Sequence, residues 1–126
     1  IDGDSTVRGL AFVVPAKLEG RAVDLLLDTG ALRTDVLSAS SAGASLLPRS
    51  VPGRDALIAA SGRIITRTVR RASLRVGEHA VTTDVDIVEG LRDDTCPRDG
   101  VIAMDVLRHC VLLLGAQGAQ GRCRVP

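Results

Sequence analysis

Apolar residues fall in short blocks separated by Gly, Pro, Ser and Asp, a pattern that predicts strands joined by turns and leaves no room for a long helix. The block from Leu10 to Pro15, a turn at Gly20 and the β-forming block from Ala22 to Leu27 predict a β-hairpin. Its second arm runs directly into Asp28-Thr29-Gly30-Ala31, where the glycine ends the strand and lets the chain turn sharply. Between 38 and 53, Ser, Ala, Gly and two prolines surround Leu46-Leu47 and predict a short helical turn within a loop. Leu57-Ile58-Ala59, a turn near Ser61-Gly62 and the segment from Ile64 to Val76 read as a second hairpin. After a turn at Gly77-Glu78, alternation puts Val81, Thr83, Val85 and Ile87 on one face, expected to be buried. Thr82, Asp84, Asp86 and Val88 fall on the other, expected to be wet. The polar stretch from Glu89 to Gly100 predicts a loop into Val101-Ile102-Ala103-Met104, and 105–109 a helical turn. Val111 to Leu114 and Arg122 to Val125 flank a Gly-Ala-Gln repeat and predict a terminal hairpin. The chain reads as all-β with one or two short helical turns.

Composition narrows the function classes. The 126 residues are expected to form a single domain over 1–126, and 45% hydrophobic with 25% charged residues is the balance of a folded protein. Sixteen basic against fifteen acidic residues give +1, and the basic residues are scattered from Arg8 to Arg124. With Phe12 the only aromatic residue, neither a dedicated nucleic-acid surface nor base stacking is expected. No apolar run approaches the roughly 18 residues of a spanning helix, so membrane insertion is not expected. The sequence begins at Ile1 with no basic-then-apolar leader, so the chain is expected to be a mature form or an excised or trimmed domain, without a targeting segment of its own. His79, His109 and the three cysteines lack paired ligand spacing, and neither a metal nor a cofactor is expected.

Asp28-Thr29-Gly30 is the one local sequence with a specific chemical reading. Alone it is weak, since such a triplet arises by chance in roughly 1 in 40 chains of this length, and a solvated turn carboxylate is the plain alternative. Its surroundings add weight. Ala11-Phe12-Val13-Val14-Pro15, Gly20-Arg21-Ala22-Val23 and Leu25-Leu26-Leu27-Asp28-Thr29-Gly30-Ala31 together resemble the opening half of a retropepsin-like aspartic protease. Ala59-Ala60-Ser61-Gly62 is similar to that family's flap hairpin, and Leu74-Arg75-Val76-Gly77 to the strand and turn after it. Asp99-Gly100-Val101-Ile102-Ala103-Met104-Asp105-Val106-Leu107 resembles its Asp-Gly, two aliphatics, Gly-Met-Asp and two apolar residues. The resemblance runs from about 9 to 125. It implies a retropepsin-like acid protease barrel, half of a pepsin-like bilobal fold.

The same resemblance assigns roles. Asp28 would be catalytic, supported by Thr29, Gly30 and Ala31, while Ala60, Ser61 and Gly62, with Ile102 and Ala103, would form the flap and substrate-binding elements. One chain supplies one such aspartate, so the dyad implies a homodimer in which an isologous interface brings Asp28 beside its mate. Two carboxylates sharing one proton would activate a water against a peptide bond in an extended polypeptide substrate, best at acidic to mildly acidic pH. Thr29 would donate across the axis, and Val51, Ile58, Ile64 and Val101 would wall the cleft. Asp105 would be structural, as a helix N-cap. Two departures stand out. Ala103 occupies the family's usual glycine position, which at positive φ would cost on the order of 1 kcal/mol. Leu32 and Arg33 stand where small hydroxyl residues are common, so a supporting hydrogen bond is expected to be missing. The rival reading is a catalytically inactive dimerisation or peptide-binding module, and a third is a domain cut from a longer precursor.

A hairpin centred between residues 116 and 117 would set Cys110 opposite Cys123 and allow a disulfide, leaving Cys96 over; three reduced thiols are the alternative. A bridge would imply an oxidising compartment, hence a secreted or periplasmic protein. Arg67, Arg70, Arg71 and Arg75 would form a solvated strand face, or else meet an acidic substrate or partner.

Overall fold

A computed structural model describes residues 6–8, 11–53, 65–89, 98–116 and 118–124. Its strands are β1 (Thr6–Arg8), β2 (Ala11–Leu18), β3 (Arg21–Leu27), β4 (Asp35–Leu37), β5 (Val51–Pro52), β6 (Ile65–Val76), β7 (His79–Val88), β8 (Gly100–Ile102), β9 (Cys110–Gly115) and β10 (Gly118–Cys123). The helices are α1 (Ser41–Leu46) and α2 (Met104–Leu107), and a 3-10 turn covers Leu47–Arg49. Ser40 caps α1: its hydroxyl accepts from the Gly43 N–H and donates to the Leu37 carbonyl.

Six strands close into a barrel in the order β2-β3-β8-β4-β7-β6, with β6 returning to β2 through Lys17↔Arg75 and Leu18↔Leu74. β3–β8 and β4–β7 pair in parallel, and the other barrel pairs are antiparallel. Alternation decides the faces. Val23, Leu25 and Leu27 of β3 and Ala72, Leu74 and Val76 of β6 point inward, while Asp24, Ser73 and Arg75 between them face water. The core is aliphatic. Leu18, Leu25, Leu74, Ile87 and Ile102 are all but fully enclosed, each contributing roughly 1.5–3 kcal/mol relative to exposure. β8 can sit between β3 and β4 only because Gly100 has no side chain: a Cβ there would collide with the Asp35 carbonyl oxygen and the Val36 backbone.

Two features depart from the sequence pattern. In β7 the alternation stops at Val85, and Asp86 and Val88, expected on the wet face, are buried. Asp86 is tolerated there because Arg33 and Thr68 satisfy its carboxylate. In β6, Arg70 and Arg71 form a bulge opposite Asp84, between the pairs Val69↔Val85 and Ala72↔Thr83, and Arg71 adopts φ 53°. The Asp84 carboxylate accepts from the Arg71 backbone N–H and holds the bulge. The four arginines of this strand therefore do not line up as one strip: Arg67 turns its guanidinium onto the hydroxyl and carbonyl of Ser50. The predicted hairpin turn at Ser61-Gly62 lies outside the described residues, while β6 pairs with β7 across the turn expected at Gly77-Glu78.

β9 and β10 form a separate two-stranded sheet whose register sets Cys110 opposite Cys123, and these two residues are joined by a disulfide.

Candidate active site

Asp28 follows the last residue of β3, and the ladder with β8 continues one step beyond the strand: its N–H donates to the Ile102 carbonyl at 3.1 Å. The chain then turns over. One carboxylate oxygen, Oδ1, accepts the Gly30 N–H at 2.8 Å, and the Asp28 carbonyl accepts from Ala31. This is an aspartate folded onto its own backbone two residues on. Gly30 fits the arrangement because a Cβ at that position would stand 3.3 Å from the same Oδ1. Asp28 is half-buried, whereas Thr29 and Gly30 are exposed. Among the described residues, Asp28 Oδ2 and the Thr29 hydroxyl have no hydrogen-bond partner in their own chain.

The loop rests on α2. The Ala31 carbonyl accepts from the Met104 N–H at 3.0 Å and the Leu32 carbonyl from the Asp105 N–H at 3.2 Å, so the helix's first N–H groups are spent on holding the loop. Thr34, which the sequence reading passed over, is the centre of the support. Its hydroxyl donates to Asp105 Oδ1 at 2.7 Å and accepts from the Ala103 N–H at 3.1 Å, while its own N–H donates to Asp105 Oδ2 at 2.9 Å. Thr34, one residue beyond Leu32-Arg33, thus supports the loop through α2, while among the described residues no hydroxyl bonds the Asp28 carboxylate. Asp105 is structural, but it is not the N-cap. Ala103 occupies that position without a side-chain cap, and the Asp105 carboxylate instead clasps Thr34.

Arg33 makes a two-pronged contact with Asp86, Nε to Oδ2 at 2.7 Å and Nη2 to Oδ1 at 2.8 Å, and the Thr68 hydroxyl adds a third bond at 2.8 Å. The hydrogen bond to Asp86 raises the Arg33 pKa further above its ordinary value, against the opposing effect of burial. The pair anchors the outgoing side of the loop to β7. Its signal in the sequence was Asp86 itself, one charged residue between Val85 and Ile87-Val88.

Of the flap and substrate-binding candidates, Ala60, Ser61 and Gly62 lie outside the described residues, as do Ile58, Ile64 and Cys96. Ile102 and Ala103 are fully buried and lie beneath the loop, where Ile102 accepts from Asp28 and Ala103 donates to Thr34. Ala103 has φ −114°, ψ −174°, extended backbone that any residue adopts, so alanine in place of the family's glycine meets no backbone strain. Of the expected cleft walls, Val101 is buried and Val51 exposed.

A family model described as aspartyl protease matches residues 14–106, a span that holds the whole loop, β8 and most of α2. No curated protein matches the chain in sequence. Among solved structures the fold is similar to the retroviral protease-like domain of Ddi1 from Leishmania major, with a TM-score of 0.56 at 14% identity, over 82% of this chain and 80% of that one. The barrel is retropepsin-like.

Proposed function

Because the chain belongs to the aspartyl protease family, we propose that it is an aspartic endopeptidase whose reactive centre combines Asp28 with Asp28 of the partner subunit in a homodimer. One observation carries the reading: a strand delivers a half-buried carboxylate to an exposed turn, with one oxygen tied to the Gly30 N–H and the other without a partner among the described residues. In the dyad one carboxylate takes a proton from a water as that water attacks the scissile carbonyl carbon, and the other, protonated, donates to the carbonyl oxygen. The tetrahedral intermediate then collapses, the C–N bond breaks and the amine leaves with a proton. Symmetry is needed because the described residues offer no second loop of this kind. Thr29, whose hydroxyl has no partner among the described residues, would donate to the partner subunit. Leu32, 80% exposed beside the loop, is the apolar side chain a second copy would cover. The Cys110–Cys123 disulfide supports a secreted or periplasmic setting.

The test is digestion of an unstructured protein such as casein between about pH 4 and 7, comparing the wild type with Asp28→Asn and with pepstatin added, alongside the mass in solution. Cleavage by the wild type alone, blocked by pepstatin, is expected. A folded dimer that cuts nothing would instead leave the inactive peptide-binding module as the correct reading.

A further inference from the structure

A concavity of about 980 Å³, apart from the Asp28 loop, lies between the start of β7, the segment that follows α2 and the β9–β10 hairpin. Arg108, Arg122, Arg124, His79 and His109 line it, and among the described residues it has no acidic side chain. Three guanidiniums in one hollow are a strong local bias in a chain whose net charge is only +1. Three arginines elsewhere in the fold are committed, Arg33 to Asp86, Arg49 to Glu19 and Arg67 to Ser50, whereas those of this hollow share one concave surface. Here, among the described residues, the only side-chain partner is an imidazole, His109 Nε2, accepting from Arg108 Nε at 3.2 Å, and Arg122 and Arg124 have none.

The hollow is built, not incidental. The Arg124 N–H donates to the His109 carbonyl at 2.8 Å, returning the end of β10 to the residue just before β9. The disulfide between Cys110 and Cys123, both lining residues, ties the two strands together at that point. Aliphatic surface is included, with Val111 and Leu113 exposed at 74% and 71%. The size exceeds that of a simple oxyanion. Separated cations interleaved with aliphatic side chains match a chain bearing several carboxylates.

We propose that this concavity is a docking site for an acidic segment of a polypeptide. None of its lining residues belongs to the Asp28 loop, so the proposal stands whether or not the protein cuts peptide bonds.

Fluorescence anisotropy with a labelled decaglutamate peptide tests it, with decaglutamine and decalysine as controls. The wild type and Asp28→Asn are expected to bind decaglutamate equally and the controls not at all. Raising NaCl from 50 to 300 mM should weaken binding about tenfold. The triple variant Arg108→Gln, Arg122→Gln, Arg124→Gln should lose at least about tenfold with an unchanged circular dichroism spectrum, and the matching triple Arg→Lys variant should keep part of the affinity. Equal binding by the Gln variant, or of decaglutamine, overturns the proposal. Displacement by inorganic phosphate at constant ionic strength would make the hollow a phosphate site and also overturn it. So would a Gln variant that dissociates into monomers yet binds the peptide as before, which would assign the arginines to a subunit contact.

Discussion

The carboxylate of Asp105 grips Thr34 at two points, accepting from its hydroxyl at 2.7 Å and its backbone N–H at 2.9 Å, while the same hydroxyl accepts from Ala103. This couples α2 to the Asp28 loop through one side chain. Thr34→Val keeps the shape but leaves the buried Ala103 N–H without an acceptor, and is expected to lower stability by about 2 kcal/mol in urea unfolding. Thr34→Ser should recover most of it.

Arg33 and Asp86 are unequally buried, with side-chain exposures of 36% and 3%. Removing the arginine therefore strands a charge inside. Arg33→Ala is expected to cost about 2–3 kcal/mol in the same assay, near the low end for a buried pair because the guanidinium reaches solvent. The double variant Arg33→Leu, Asp86→Val should recover at least half of that loss, a coupling that simple addition of two damaging substitutions would not give.

Gly30 is tested by alanine. The added methyl would press on Asp28 Oδ1 from 3.3 Å. If the proposed activity holds, Gly30→Ala is expected to reduce casein cleavage at least about tenfold while changing stability by less than about 1 kcal/mol, since the loop is exposed and only the hydrogen bond to the Asp28 carboxylate is disturbed. Equal activity would show that this hydrogen bond does not orient the carboxylate.

Arg71, at φ 53° in the bulge, holds a conformation that a Cβ disfavours. Arg71→Gly is expected to raise the unfolding midpoint, by about 0.5–1 kcal/mol equivalent, because the relieved strain exceeds the entropy glycine adds to the unfolded chain.

Glu19 carries a pH signature. A side-chain hydrogen bond from Arg49, then one from the Ser73 backbone N–H, hold its carboxyl below the ordinary glutamate range. A lowered folded value contributes stability above the unfolded pKa, near 4.3, that is lost as pH falls through the folded one. Glu19→Gln should therefore be less stable than the wild type at pH 7, by under about 1 kcal/mol for so exposed a pair. The gap should close towards pH 3 in thermal melts.

The legible parts of this chain were those where local chemistry and tertiary role agree. The β2–β3 hairpin, the turn at Asp28 and the cysteine-bearing terminal hairpin each announce themselves through alternation and turn residues. β4 did not, because Asp35–Leu37 is too short to alternate and exists only by pairing with β7 and β8. Asp86 was misplaced because the rule that charge faces water knows nothing of Arg33, distant in sequence and adjacent in space. Thr34 was missed for a similar reason: its partners Ala103 and Asp105 arrive from the far end of the chain. Asp105 looked like a cap because the helix could be sensed but not its first residue.

The parallel pairing of Leu25–Leu27 with Gly100–Ile102 carries a temporal consequence. A nascent chain that has emerged only as far as Glu89 holds the complete Asp-Thr-Gly triplet but neither the strand that buttresses it nor Asp105, the partner of Thr34. The support of the loop is thereby completed only late in synthesis, and a fragment truncated before Gly100 is expected to lack the proposed activity however long it is given to mature.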